Sequence, residues 1–169
     1  MIARIVLAAF VFALACAGPA AAQSLQAGIA AYEAQDYAVA AKILLPLAEQ
    51  GNAKAQTYVG SMYAHGRGLP QDYIAAARWY RAASEHGIPV AQFMLGMMYD
   101  KGQGLPQDYV LAYAWINVAV TRARPGERQY WIRIRDAVSS KLTLRERTAA
   151  QRLAVEWQAG QPMIYSRAH

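Results

Sequence analysis

The sequence has 169 residues, a formal net charge of +6 at pH 7 and a hydrophobic fraction of 56%. This length suits one compact domain, and the single cysteine, Cys16, has no partner within the chain, which excludes a domain held together by internal disulfides. The charge is uneven: residues 23–121 carry six basic and seven acidic side chains, whereas residues 122–152 carry nine basic and three acidic ones.

Residues 1–22 have the pattern of a secretory signal. An almost unbroken apolar run is interrupted by Pro19, and three small residues end at Ala22. The run is shorter than the ~20 apolar residues that a transmembrane helix needs. We therefore expect cleavage after Ala22 and a periplasmic or secreted protein without thiol chemistry. The residues before Cys16 faintly resemble a lipobox, so a lipoprotein anchored at Cys16 is the alternative.

The sequence pattern of residues 23–51 predicts a degenerate copy of a repeat that occurs in complete form further along the chain. A Gln-Asp-Tyr triplet ending at Tyr37 stands 36 residues before the same triplet ending at Tyr73. The first helix of this copy, expected at residues 25–34, lacks the glycine turn of the complete copies. That pattern is typical of a repeat that caps the N-terminal end of an array.

Residues 52–87 and 88–123 align without a gap, a period of 36 residues. Both contain the pattern A-Q-x-x-x-G-x-M-Y-x-x-G-x-G-L-P-Q-D-Y-x-x-A-x-x-W. A tandem period of this size is typical of stacked helical repeats. Such an array presents an extended surface, which favours binding rather than catalysis as the function.

Each complete copy predicts two helices joined by a glycine turn. In the first copy Ala55, Val59 and Met62 share one helix face, Gly66 ends that helix, and Asp72 caps the next. Glycine in the middle of the first helix, at Gly60 and Gly96, predicts close helix packing, since it costs about 1 kcal/mol against alanine. The recurring aromatic residues are predicted to be core residues: Tyr63, Trp79, Tyr99 and Trp115.

Residues 124–160 predict a pair of capping helices that close the C-terminal end of the array. One helix is expected at residues 127–142. A capping box from Thr143 to Glu146 opens the next, which should run to about Gln158. Residues 161–169 predict a loose tail.

The repeated pattern resembles the Sel-one-like repeat (SLR), a relative of the tetratricopeptide repeat. The resemblance covers residues 25–123 and includes the glycine turn, the capping aspartate and the tryptophan of each copy. It implies an all-α, right-handed α-solenoid of helix-turn-helix repeats with a C-terminal helical cap, and a non-enzymatic adaptor that binds other proteins. Cysteine-rich relatives are described as binding or hydrolysing β-lactams, but their paired cysteines are absent here.

Candidate catalytic and metal-ligating residues have structural explanations. His65 and His86 each end a predicted helix, where a cation interacts favourably with the helix dipole, and neither has a second ligand at helical spacing. Asp72 and Asp108 are repeat equivalents in capping positions. No nucleotide-binding or nucleophile motif occurs. We therefore expect no catalytic residues, no metal site and no cofactor.

The outward face of the repeats' first helices is the predicted partner surface. Its apolar members in the second copy are unusual for an exposed face. The alternative is that Phe93, Met94 and Met97 seat the C-terminal helices. The candidate partner-binding residues are Tyr58, Ser61, Phe93, Met94 and Met97.

The arginines after residue 122 are a second candidate surface. Export argues against a nucleic-acid partner, which leaves anionic lipid, a cell-wall polymer such as peptidoglycan, or an acidic protein. A solvated helix face is the structural alternative. The candidate basic patch consists of Arg128, Arg133, Arg135, Arg145, Arg147 and Arg152.

Together these patterns predict an adaptor or regulator of the bacterial cell envelope that binds a protein or peptide in the groove lined by the first helices. The alternative is an envelope-surface protein that docks on anionic lipid or cell-wall polymer through its basic C-terminal helices.

Overall fold

A computed structural model describes residues 18–158 of the chain, and their side chains from residue 24 onward. The predicted signal up to residue 17, including Cys16, and the predicted tail at 161–169 lie outside the described residues. Within the described part the chain forms eight helices and no strand, which confirms the all-α prediction. They are α1 (Gly18–Glu33), α2 (Tyr37–Glu49), α3 (Ala53–His65), α4 (Tyr73–Glu85), α5 (Pro89–Lys101), α6 (Tyr109–Thr121), α7 (Pro125–Ser139) and α8 (Leu144–Gln158).

Consecutive helices pack as a stacked array. The hairpins α1–α2, α3–α4 and α5–α6 are the three repeats, and α2 packs on α3 and α4 on α5 to join them. This is the α-solenoid that the period predicts. No helix in residues 18–158 combines the length and apolar character needed to cross a membrane.

The predicted aspartate caps are present at equivalent places. Asp72 Oδ1 accepts hydrogen bonds from the backbone N–H groups of Ile74 and Ala75 at 2.8 and 3.0 Å. Asp108 Oδ1 does the same for the N–H groups of Val110 and Leu111 in the first turn of α6, at 2.9 and 3.0 Å. These carboxylates satisfy N–H groups that have no partner within the helix, so capping accounts for their recurrence.

The glycine turns hold neighbouring repeats together. Gly68 and Gly104 have φ values of 72° and 68°, which few other residues adopt. A Cβ atom at Gly68 would overlap the carbonyl of Tyr37, and one at Gly104 would overlap the carbonyl of Tyr73. Each turn therefore lies directly against the second helix of the preceding repeat, and glycine is required there both for its φ and for its lack of a side chain.

The mid-helix glycines mark close packing within each hairpin, as predicted. A Cβ atom at Gly60 would lie 3.0 Å from the ring of Tyr80. At Gly96 it would lie 2.6 Å from Cγ1 of Ile116 and 3.0 Å from the carbonyl oxygen of Ala112.

One of the predicted core tryptophans is less buried than expected. Trp115 is 4% exposed and its ring lies 4.6 Å from that of Trp157, whereas the equivalent Trp79 is half-buried. The fully buried aromatic residue of the first complete repeat is its neighbour Tyr80, at 1% exposed. The prediction that Trp79 is a core residue is therefore wrong in part, because Trp79 is only half-buried. The reason is that the additional helix α8 packs on α6, where Trp115 lies, and not on α4.

The C-terminal helices differ from a fourth repeat. Both α7 and α8 pack against α6. The first begins at Pro125 rather than at residue 127, since proline is favoured at the first helical position, and ends at Ser139 rather than 142. The predicted capping box is present: Thr143 Oγ1 accepts from the Glu146 N–H at 3.3 Å, and Glu146 Oε2 accepts from the Thr143 N–H at 2.9 Å.

Candidate protein-binding surface

The methionines of α5 line an open cavity of about 420 Å³, which we call the methionine cavity. Met94 and Met97 are half-buried, while Met98 is 4% exposed and belongs to the core. The wall combines residues from α3, the start of α4, α5, α7 and the two glycine turns: Ala64, His65, Gln71, Tyr73, Phe93, Met94, Met97, Met98, Lys101, Gln103 and Tyr130. The first helices of both complete repeats and one C-terminal helix thus contribute to one concave site.

Phe93 seats a C-terminal helix. It is 6% exposed and stacks on Trp131 of α7, with ring centroids 4.8 Å apart and an interplanar angle of 10°. Of the two alternatives for Phe93, the structure therefore favours core packing, and an exposed Phe93 anchor is not found. This contact fixes α7 against α5 and so forms one side of the methionine cavity.

Tyr130 is the aromatic residue that sequence reasoning missed. It lines the methionine cavity, is 49% exposed, and lies next to Phe93 with ring centroids 6.0 Å apart. Exposed aromatic residues are common in binding sites. The available signal was the aromatic pair of Tyr130 and Trp131 in a segment outside the repeat register.

Tyr58 and Ser61 do not line the methionine cavity. The Tyr58 ring meets Tyr32 edge-on at 5.0 Å, and Ser61 Oγ shares a 2.8 Å hydrogen bond with the Tyr32 hydroxyl. Ser61 also bonds the hydroxyl of Tyr80, which makes it the link between α1, α3 and α4. Partial burial raises the pKa of Tyr58, and the negative charge of Glu33 adds to that rise. These residues form a tyrosine cluster that stabilises the N-terminal repeats.

Hydrogen bonds hold several polar groups of the methionine cavity in place. His65 Nδ1 donates a hydrogen bond to the backbone carbonyl oxygen of Ser61 at 2.8 Å. Gln71 Nε2 donates to the Ala64 carbonyl at 3.0 Å and to the Tyr73 hydroxyl at 3.1 Å. The wall contains no carboxylate.

The six candidate basic residues differ in how they are engaged. Arg135 pairs with Asp136 at 2.8 Å, and Arg147 donates to the Ser139 carbonyl at 3.2 Å. Arg128 donates to the Ala123 carbonyl at 3.4 Å. The other three have no hydrogen bond or ion pair within the described residues, and each is exposed: Arg133, Arg145 and Arg152. The candidate patch is thus only partly available to a partner.

The outer face of α8 combines apolar and basic side chains. Leu144 and Val155 are 78% and 64% exposed and lie on one side of the helix, eleven positions apart. An open depression of about 460 Å³ beside Leu144 is lined by Arg145, Thr148, Ala149 and Arg152. We call this surface the α8 face.

Metal-ligating groups do not cluster in the described part of the chain. No set of three or more His, Cys, Asp or Glu side chains is close enough to hold an ion there.

The repeat units match a known family. The model of the Sel1 repeat matches residues 53–88 and 89–120. The chain contains two Sel1 repeats. The matched units coincide with the hairpins α3–α4 and α5–α6, so the family match and the helix packing agree on the repeat.

Two crystal structures are similar to this chain over much of its length. One is that of c5321, a protective antigen present in uropathogenic Escherichia coli strains that displays an SLR fold, with a TM-score of 0.74 and 26% identity over 88% of this chain. The other is a Sel1 repeat protein from Oxalobacter formigenes, with a TM-score of 0.56 and 34% identity over 59% of this chain. No curated protein matches the sequence.

These similarities define the fold and the general class of function. The chain spans 34% of the length of the first structure and 39% of the second. Sel1 repeats generally mediate protein–protein interaction and typically build scaffolds rather than enzymes.

Proposed function

We propose that this Sel1-repeat protein is a non-enzymatic adaptor of the cell envelope that binds a protein or peptide in the methionine cavity. The observation that carries the proposal is the wall itself, in which half-buried Met94 and Met97 face an exposed Tyr130. Methionine side chains adapt to different apolar ligands, and aromatic residues are common binding anchors. The cavity is open to solvent, which suits a chain segment better than an enclosed small molecule.

Site-specific photo-crosslinking tests this proposal. A benzoyl-phenylalanine placed at Tyr130 should crosslink a partner in envelope extract, and the same probe at Arg78, on the outer side of α4, should not. A Met97→Glu substitution should abolish the Tyr130 crosslink while leaving the helical circular dichroism spectrum unchanged. Equal crosslinking at both probe positions, or a crosslink that survives Met97→Glu, would place the partner elsewhere.

The non-enzymatic part of the proposal has a chemical basis. A nucleophile needs a base within hydrogen-bond reach, and the only His hydrogen bonds found within residues 18–158 join His65 to Ser61. Ser61 is itself bonded to two tyrosines, so this pair belongs to the tyrosine cluster. Catalytic turnover assigned to a purified protein and lost on substitution of His65 would overturn this part.

The envelope location is also a proposal. It is supported by the apolar N-terminal run and the small residues that end at Ala22. Cleavage after Ala22 would leave the mature chain with the C-terminal part of α1. Intact mass measurement of the protein from a periplasmic fraction should give a chain that starts at Gln23. A lipid-modified chain that starts at Cys16 would favour the lipoprotein alternative.

A second candidate function rests on the α8 face, which we propose as a contact for anionic lipid. Leu144 and Val155 could insert between headgroups while Arg145 and Arg152 meet their phosphates. Binding to anionic vesicles should be salt-sensitive, should be absent for neutral vesicles, and should be lost in a Leu144→Asp/Val155→Asp variant. Binding that the double substitution leaves unchanged would exclude the α8 face.

A further inference from the structure

The carboxylates of α3, α5 and α7, which line the methionine cavity, are each paired with a cation of the same chain. Helix α3 has none, and α5 and α7 together contain three. Each is in an ion pair with an N···O distance of 3.0 Å or less: Asp100 with Lys141 at 2.6 Å, Glu127 with Arg124 at 3.0 Å, and Asp136 with Arg135 at 2.8 Å. No uncompensated negative charge therefore faces a ligand from these helices.

Two cations on helices that line the methionine cavity have no counter-charge. Lys101 lines the methionine cavity at the end of α5 and is exposed. Arg133 is exposed and lies one helical turn beyond Tyr130 on α7. Neither has a hydrogen bond or an ion pair within the described residues. Asp72, which lies between the wall residues Gln71 and Tyr73, accepts two backbone N–H groups and caps α4. The unpaired charges on α5 and α7 are therefore positive.

We infer that the ligand of the methionine cavity is an acidic peptide segment with an apolar anchor. Its apolar side chain enters between Met94 and Met97 and stacks near Tyr130. Its carboxylates lie on the rim, where they meet Lys101 and Arg133. The inference rests on the proposed function and adds the chemical class of the partner.

The arrangement divides affinity and selectivity between two parts of the site. Burial of the apolar anchor drives binding, because exposed ion pairs contribute little on their own. The rim cations select among apolar peptides and speed the approach of acidic ones. Basic peptides with the same apolar anchor bind less well. Their cationic side chains lose hydration on binding, and α3, α5 and α7 offer no unpaired carboxylate that would compensate for this loss.

Selection from a random peptide library displayed on phage tests the inference with the purified protein. The enriched peptides should combine an aromatic or aliphatic residue with Asp and Glu. Their affinity, measured by fluorescence anisotropy, should fall about tenfold or more in a Lys101→Glu/Arg133→Glu variant and at high salt. The matched control is Lys42→Glu/Arg78→Glu, which makes the same charge change at two exposed residues of α2 and α4. It should leave the affinity within about twofold, since neither residue lines the methionine cavity.

The outcomes separate the inference from the proposed function. Enriched peptides that need Met97 but are neutral or basic would overturn the acidic preference and leave the binding site intact. A charge effect of equal size in the control variant would also overturn it. If no enriched peptide depends on Met97, the proposed function fails together with the inference.

Discussion

The second helices of the two Sel1 repeats, α4 and α6, occupy equivalent places and have different surroundings. Ile74 of α4 is 61% exposed, whereas its equivalent Val110 in α6 is 6% exposed. Arg78 is exposed on α4, and its equivalent Ala114 is completely buried. The same repeat position is thus an outer surface in one copy and core in the next, because α7 and α8 pack on α6. In this chain the array ends by burying the last repeat's outer helix.

Predictions that compare equivalent residues can test this difference. The largest effect is expected at the tryptophans. Trp115→Ala should lower the free energy of unfolding by about 3–5 kcal/mol, because it removes a buried ring that packs on Trp157. Trp79→Ala should cost roughly half as much, since Trp79 is half-buried and loses less contact. Urea unfolding of both variants would measure this, and equal losses would mean that α8 does not protect Trp115.

The mid-helix glycines should give the next largest effect. Gly96→Ala is expected to cost about 2 kcal/mol, because its Cβ would meet both a side chain and the fixed carbonyl of Ala112. Gly60→Ala should cost less, since only the Tyr80 ring must shift. The control is Gly126→Ala in α7, where nothing lies within 4 Å of the new methyl group. Thermal unfolding of the three variants should rank them in that order, and a neutral Gly96→Ala would contradict the close packing of α5 on α6.

The composition of α6 made its burial predictable, but the partners that bury it were not. Helix α6 contains no charged residue, whereas α4 contains Arg78, Arg81 and Glu85. The period likewise predicted the hairpins, their aspartate caps and their glycine turns, because each depends on residues within one repeat. The stacking of Phe93 on Trp131 and the exposure of Tyr130 could not be predicted, because the repeat register ends before α7 and no local pattern fixes which face of α7 meets α5.

The candidate site was predicted in part for the same reason. Met94 and Met97 lie on the predicted surface because their helix belongs to the repeat. Tyr58 and Ser61 were grouped with them by repeat equivalence, yet they contact α1, whose Tyr32 comes from the degenerate first copy. Equivalent positions in an array share backbone geometry, but their neighbours depend on which repeat comes before and after.

Capping should show a smaller and equal effect in the two repeats. Asp72→Ala and Asp108→Ala should each cost about 1 kcal/mol, because each leaves two N–H groups at a helix start without a side-chain acceptor. An Asn replacement at either position should restore most of the loss, since its side-chain oxygen accepts the same bonds. A much larger loss at Asp108 would contradict this expectation. It would indicate that the stability of α6 depends on its cap more than the stability of α4 does, although α6 is the more buried helix.

The smallest effect is expected in alkaline solution and depends on a difference at one pair of equivalent positions. Burial raises the pKa of Tyr80, whereas the corresponding residue of the second repeat, Ile116, cannot ionise. Above the ordinary tyrosine pKa of about 10 the unfolded chain loses this proton and the folded chain keeps it. The unfolded state then binds fewer protons, so the free energy of unfolding should decline as the pH rises beyond about 10.

Tyr80→Phe should reduce that decline, at the cost of the hydrogen bond to Ser61 at neutral pH. Chemical unfolding measured across this range would detect the difference in slope, and an unchanged slope in Tyr80→Phe would mean that Tyr80 is accessible to water in the folded protein.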